Sequence, residues 1–166
     1  MRKLKKQLKI YLKKIIKLGG KPNITDDNHQ TLIKDLTRHY EQVLVNSTLS
    51  DKSKNIINDE TINNIKVRFQ KVIDLPPKDL RKLVDNGKKE LTDGVIVIFA
   101  IKDEKIGLAI GVTENLTKKY DAVKLVKIGS EIIGGKGGGG RSDFAQAGGI
   151  DSSKIDNAIE QIKSLI

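Results

Sequence analysis

The sequence predicts a mixed fold, α+β or α/β: an N-terminal helical hairpin of coiled-coil type followed by a small α/β globular domain. Three observations carry this. In residues 1–48 apolar side chains recur at spacings of three and four, as on one stripe of a helix. In residues 65–166 short β-branched runs alternate with helical patterns. Between them, residues 49–64 are rich in Asn, Ser, Thr, Asp and Lys and hold neither period, which predicts a linker or irregular connection with room for one short helix. A chain of 166 residues with 37% apolar content allows one ordinary core plus a helical appendage.

Leu4, Leu8, Tyr11, Ile15 and Leu18 define the first helix, which Gly19-Gly20 ends. After the turn-forming Lys21-Pro22-Asn23, Ile33, Leu36, Tyr40 and Val43 define a second, with a cap expected at Asp26 or Asp27. Both stripes are narrow, so the pair needs a partner to bury it: a second copy, giving a homodimer, or the rest of a larger protein. Ile65, Val67 and Phe69 alternate with polar residues as in a half-buried strand, and Pro76-Pro77 then opens a helix carrying Leu80, Leu83, Val84 and Leu91. The unbroken run Val95 to Ile101 reads as a strand buried on both faces, turned by Asp103-Glu104 into a second strand, Ile106 to Val112. The basic connector Lys118-Lys119, a helix from about Asp121 to Ile133, a glycine stretch and a final helix over about Ser153 to Ile166 complete the domain.

The glycine stretch, GGKGGGGRSDFAQAGG over residues 134–149, has eight glycines in sixteen positions. Gly135, Gly140, Arg141 and Ser142 fit the Walker-A spacing, and Gly135, Gly137 and Gly140 the dinucleotide spacing. Both templates fit almost any run this rich in glycine. A Walker loop must follow a buried strand, whereas here a helix precedes it, and Arg141 stands where the phosphate-reaching lysine belongs. What remains is a stretch whose N–H groups lie open for want of Cβ atoms, with Lys136 and Arg141 adding charge, so that an anion can approach the backbone. Bulk at Gly138 or Gly139 is expected to block that approach. A surface loop with a helix C-cap at Gly134 accounts for one glycine pair but not for eight glycines.

The formal charge is +10, with eight Lys or Arg among the first eighteen residues and no acid before Asp26, an asymmetry that suits a polyanion or a solvated lysine face. A mitochondrial presequence is richer in Arg and Ser than this segment. There is no cysteine and there are two histidines, so a structural metal site is not expected. No apolar run approaches the roughly 20 residues that span a bilayer, and no membrane partner is expected.

The run from Gly134 to Gly149 resembles the glycine-rich motif of the carboxy-terminal, DHH-associated domain of alanyl-tRNA synthetase, departing from its usual pattern at Ser142, Phe144 and one extra glycine. The preceding order of strand, Pro-Pro helix with Asp79-Leu80-Arg81 and Leu83-Val84-Asp85, buried hairpin and helix is similar too, so the resemblance covers about Ile65 to Ile166. It implies a non-catalytic module that binds tRNA, alanine-specific by that resemblance, at the outer corner of the L. It also implies support for aminoacylation and editing by upstream domains of a parent class II alanine–tRNA ligase. The implied RNA-binding residues are Gly134, Gly135, Lys136, Gly137, Gly138, Gly139, Gly140, Arg141, Ser142, Asp143, Gln146, Gly148 and Gly149. The parent would use ATP, Mg and Zn; this chain is expected to need no cofactor, to hold no catalytic or metal residues, and to work in the cytoplasm, with an organelle left open. Two further readings are the substrate-binding domain of a DHH-type phosphoesterase, which would require a metal-binding Asp/His domain, and a helical oligomerisation module. Phe69 and Phe99 are expected in the core, which leaves Phe144 as the phenylalanine available to touch a base.

Overall fold

A computed structural model of the protein describes residues 2–21 and 29–166. The chain divides into two compact units, Met1–Asp51 and Lys52–Ile166. In the first, α1 (Arg2–Lys17) and α2 (His29–Ser50) meet through Ile15, Leu32 and Leu36, with Leu8, Tyr11, Leu12 and Tyr40 around them. Of the expected stripes Leu8, Tyr11, Ile15, Leu36 and Tyr40 lie in this cluster, with Leu12 and Leu32 added, whereas Leu18, Ile33 and Val43 fall outside it; Lys14 lies over the rings of both Tyr11 and Tyr40. The glycine pair ends α1 in the way its chemistry allows: Gly20 N–H donates to the Ile15 carbonyl and Gly19 N–H to that of Ile16, with Gly19 at φ +78°. The side chain of Leu4 and the expected cap at Asp26 or Asp27 lie outside what is described.

The second unit is a six-stranded mixed sheet in the order β1-β2-β3-β4-β6-β5. Its strands are β1 (Asn55–Ile62), β2 (Ile65–Ile73), β3 (Gly94–Lys102), β4 (Lys105–Val112), β5 (Gly138–Arg141) and β6 (Phe144–Gly149). Only β2 and β3 run parallel, joined by the crossover helix α3 (Leu80–Leu91); every other neighbouring pair is antiparallel. Two-residue turns with positive φ at both positions, Asn63-Asn64 and Asp103-Glu104, set the β1–β2 and β3–β4 hairpins. Helices α4 (Ala122–Ile132) and α5 (Ile155–Lys163) follow; the Asp121 carboxylate caps α4 by accepting from Val123 N–H, and that of Asp151 accepts from Ser153 N–H at the start of the short 3-10 turn Ser152–Lys154 that leads into α5.

Two expectations are corrected. Residues 49–64 are not a linker: α2 runs to Ser50, and Asn55–Ile62 form the edge strand β1. The glycine stretch is not a loop either, because it folds into the β5–β6 hairpin, with β6 paired to β4 and β5 on the outer edge.

The sheet is covered unequally. On one face α4 and α5 bury Val67, Phe69, Val97, Phe99, Leu108 and Ile110 against Leu125, Val126, Ala158 and Ile162. On the other, α3 sits low over β3 and β4 because three glycines leave it room. A Cβ on Gly87 would lie 3.0 Å from Ile96, one on Gly107 2.7 Å from Leu80, and one on Gly111 2.2 Å from Val84. On that same face β6 and β5 lie beyond α3, and Gly139, Gln146 and Gly148 are exposed.

Edge strand β1 is fastened by charge. Arg68 forks onto Asp59, with Nε to Oδ1 at 2.7 Å and Nη2 to Oδ2 at 2.8 Å, and also reaches Glu90 of α3. The Arg68 hydrogen bond holds the Asp59 carboxyl below its ordinary range against the opposing effect of burial. Arg68→Ala should lower unfolding free energy by roughly 1 to 2 kcal/mol, toward the low end because both acids are about half exposed. A depressed carboxylate stabilises above its unfolded pKa, so the difference between wild type and variant should shrink as pH falls through the folded value. Chemical denaturation at a series of pH values measures both.

Candidate nucleic-acid interface

The β5–β6 hairpin is built from contacts that only glycine permits. Helix α4 ends on Gly134 at φ +75°, and Gly135 N–H donates to the Ser130 carbonyl at 2.7 Å. A Cβ on Gly135 would lie 2.0 Å from the Gly148 carbonyl oxygen and 2.1 Å from Ser130 Oγ, which itself donates to that carbonyl. Equivalent atoms on Gly138, Gly140 and Gly149 would stand 2.5 Å from Ala147 Cβ, 2.2 Å from the Phe144 carbonyl oxygen and 2.4 Å from Ile133. These glycines are accounted for by packing. Gly137 and Gly139 are different: a Cβ there meets nothing within 4 Å, and at Gly148 it would make an ordinary 3.6 Å contact. Gly138 and Gly139 are therefore not equivalent, since bulk at Gly138 disrupts the hairpin and bulk at Gly139 only covers the backbone.

Register decides which groups share the bare face. Gly139 pairs with Gln146 and Arg141 with Phe144, and paired residues of an antiparallel ladder project to the same side. Gly107 of β4 pairs with Gly148 beneath the start of α3. A shallow hollow of about 510 Å³ lies here, over Gln146, Gly148 and Gly107 and between Pro77, Lys105 and Ile150. It is floored largely by backbone. Ile150 is 73% exposed at its rim.

Charge gathers at the Arg141 end. The turn Ser142-Asp143 is pinned by its carbonyls, which accept from Ala122 N–H at 3.0 Å and Val112 N–H at 2.9 Å. The Asp143 carboxylate takes Lys88 Nζ at 3.4 Å on one oxygen and Arg141 Nε at 3.2 Å on the other. Burial alone would raise its pKa, but the charges of Lys88 and Arg141 outweigh burial and hold it below the ordinary carboxylate range. With Nε occupied, the rest of the Arg141 fork faces water, the side chain being 69% exposed. Phe144 is half-buried beneath the Arg81 guanidinium, 5.1 Å from the ring centre, which takes that face of the ring away from a base.

Of the expected residues, Gly139, Arg141, Gln146 and Gly148 share the exposed face, Lys136 is exposed near its far end, and Ser142 and Asp143 form the turn. Gly134, Gly135, Gly138, Gly140 and Gly149 shape the hairpin. Arg81, Lys88 and Lys105 were not among the expected residues. Arg81 and Lys88 are seven apart on α3 and so share a helix face, a signal present in the sequence but unusable without knowing which strands α3 crosses.

A mixed sheet with a parallel crossover, an α4–α5 layer and a glycine hairpin at its end defines a class. The chain belongs to the DHHA1 domain family, whose profile matches residues 64–166. It is 46% identical over 108 residues to the alanine–tRNA ligase of Parvibaculum lavamentivorans, covering 64% of this chain and 12% of that protein. The corresponding enzyme of Paramagnetospirillum magneticum is 43% identical over 107 residues, with the same coverage. The chain thus spans about an eighth of the length of these curated relatives. The C-Ala domain of Aquifex aeolicus alanyl-tRNA synthetase superposes with a TM-score of 0.62 at 28% identity, over 65% of this chain and 96% of that one. The resemblance carried by the glycine motif is borne out.

Two glycines of the stretch are expected to respond to the same substitution in opposite directions. Gly135→Ala forces a Cβ into backbone oxygen and should cost about 1 to 3 kcal/mol or more. Gly139→Ala fills open space in extended backbone and should raise stability by about 0.4 to 1 kcal/mol. Thermal melts of the two variants beside the parent chain test the contrast.

Proposed function

We propose that this chain is the tRNA-binding module of an alanine–tRNA ligase and holds the outer corner of the tRNA against the bare face of the β5–β6 hairpin. In this reading the module carries no cofactor and no chemistry of its own; ATP, Mg and Zn belong to upstream domains of the parent, in the cytoplasm. The helical hairpin of α1 and α2 is assigned to contacts with those domains or with a second copy. The observation that carries the reading is Gly139, an exposed glycine that neither packing nor φ requires, set opposite Gln146 and two residues from the exposed Arg141.

That geometry suits a sugar-phosphate backbone. Exposed N–H groups can be approached without Cβ obstruction, Arg141 offers a planar fork for phosphate oxygens, and Lys136 adds a mobile point charge. Contacts of this kind give affinity and orientation with little base-sequence preference, so tRNAs of different sequence are expected to bind within a few-fold of one another.

Filter binding across a salt series tests it. Arg141→Ala removes about one phosphate contact and should shallow the slope of log affinity against log salt by roughly 0.7 to 0.9. Gly139→Val should weaken binding while keeping most of the slope, because it blocks approach without removing charge. If both variants fold and bind tRNA like the parent chain, the hairpin is not the RNA surface and the lysines of α1 become the alternative.

A further inference from the structure

Behind the Ser142-Asp143 turn, at the opposite end of the hairpin from Lys136, the surface opens into a cleft of about 680 Å³ between the last turn of α3 and the segment that follows β4. Its lining includes Lys88, Lys89, Thr92, Arg141 and Ser142, with the carboxylates of Asp143 and Glu114. The Asp143 carboxylate holds Lys88 and Arg141 on its two oxygens, fixing both cations at the cleft with most of their N–H groups unspent. Lys89 is exposed and pairs with no acid among the described residues. Three cations against two carboxylates leave one positive charge, which matches a phosphodiester monoanion better than a phosphomonoester dianion.

Hydroxyl chemistry narrows the donors. Thr113 spends its proton on Asn115 Oδ1 and Thr117 spends its own on the Glu114 carbonyl, so Thr92 and Ser142 are the hydroxyl donors of the cleft. Thr92 is held in an unusual backbone state. At φ +64°, ψ −58° it centres a γ-turn of the rarer, left-handed kind, closed by Asp93 N–H donating to the Leu91 carbonyl at 2.7 Å. A β-branched residue pays strain there that glycine would not, and such strain persists where the surroundings hold it. Lysines in the last turn of a helix also complement its dipole, which accounts for Lys88 and Lys89 being on α3. It does not account for the turn at Thr92 or for the convergence of Arg141 and Ser142 on the same cleft.

We infer that this cleft is a socket for a single backbone phosphate of the RNA, gripped by Lys88, Lys89 and Arg141 with the hydroxyls of Thr92 and Ser142. The inference rests on the tRNA-binding reading above and extends it. The hairpin face takes the backbone at Gly139, while the socket takes one phosphate round the corner at the turn, so the RNA is registered as well as held.

The test is phosphate-ethylation interference on the whole chain with tRNA, together with a salt series. Lys89→Ala should shallow the salt slope by about 0.7 to 0.9. It should also abolish the penalty of ethylating one particular phosphate, whereas Lys127→Ala, exposed on α4 across the sheet, should change neither. Thr92→Gly should raise the melting temperature and weaken tRNA binding several-fold. If Lys89→Ala behaves like Lys127→Ala while Gly139→Val still weakens binding, the socket is overturned and the hairpin face stands. If Thr92→Gly binds tRNA as the parent does, the role given to Thr92 is overturned. If the parent chain does not retain tRNA, the reading beneath both falls. A titration with inorganic phosphate would then be needed to move the Thr92 and Ser142 amide resonances for an anion site of any source to survive.

Discussion

The approach of α4 to the last hairpin is the constraint on which the rest of the structure depends. Gly135 lies against the Gly148 carbonyl, Ser130 Oγ bonds the same oxygen, and Gly149 lies against Ile133, each at a distance no side chain could share. Ile150 and Asp151 N–H groups both donate to the Ile133 carbonyl, closing the end of the helix onto the end of β6. With that junction in place β6 can pair with β4, β5 can pair with β6, and α5 can pack beside α4. A Cβ at the junction would push the hairpin off the sheet and take the candidate interface with it.

The same economy of side chains shapes the interface. Helix α3 needs three glycines to lie close over β3 and β4, and it leaves the hairpin uncovered on that face. One set of glycines therefore lets elements pack, and a second, smaller set leaves backbone facing water. Charge is placed around that backbone by pairing rather than by accumulation. Asp143 draws Lys88 and Arg141 together, and Arg68 draws β1 and α3 together through Asp59 and Glu90.

Much of this could be read from the residues. The unbroken β-branched run became β3, buried across most of its length, and Asp103-Glu104 formed the expected turn, because burial on both faces and a two-residue turn each leave a local signature. Strand β1 left none. As an edge strand it is exposed along nearly its whole length, so Ile56 and Ile57 stand side by side and no alternation marks it. The hairpin was hidden for a different reason: a strand of Gly-Gly-Gly-Arg has no side-chain period to read, and the register that pairs it with β6 leaves no alternation in the sequence. The site was legible as a motif and illegible as geometry. Which glycines serve packing, and that Arg81 and Lys88 stand beside Phe144 and Asp143, depends on the register of α3 over the sheet.

In the proposed function RNA meets backbone at the hairpin face. Amide resonances of the isotopically labelled chain, followed during titration with alanine tRNA, test it most directly. The account predicts that Gly139, Gln146 and Gly148 shift or broaden first, with the Arg141 side chain, while the amides of α5 on the far face of the sheet stay in place. Perturbation confined to α1 or α4, with the hairpin resonances unmoved at saturating tRNA, would contradict it.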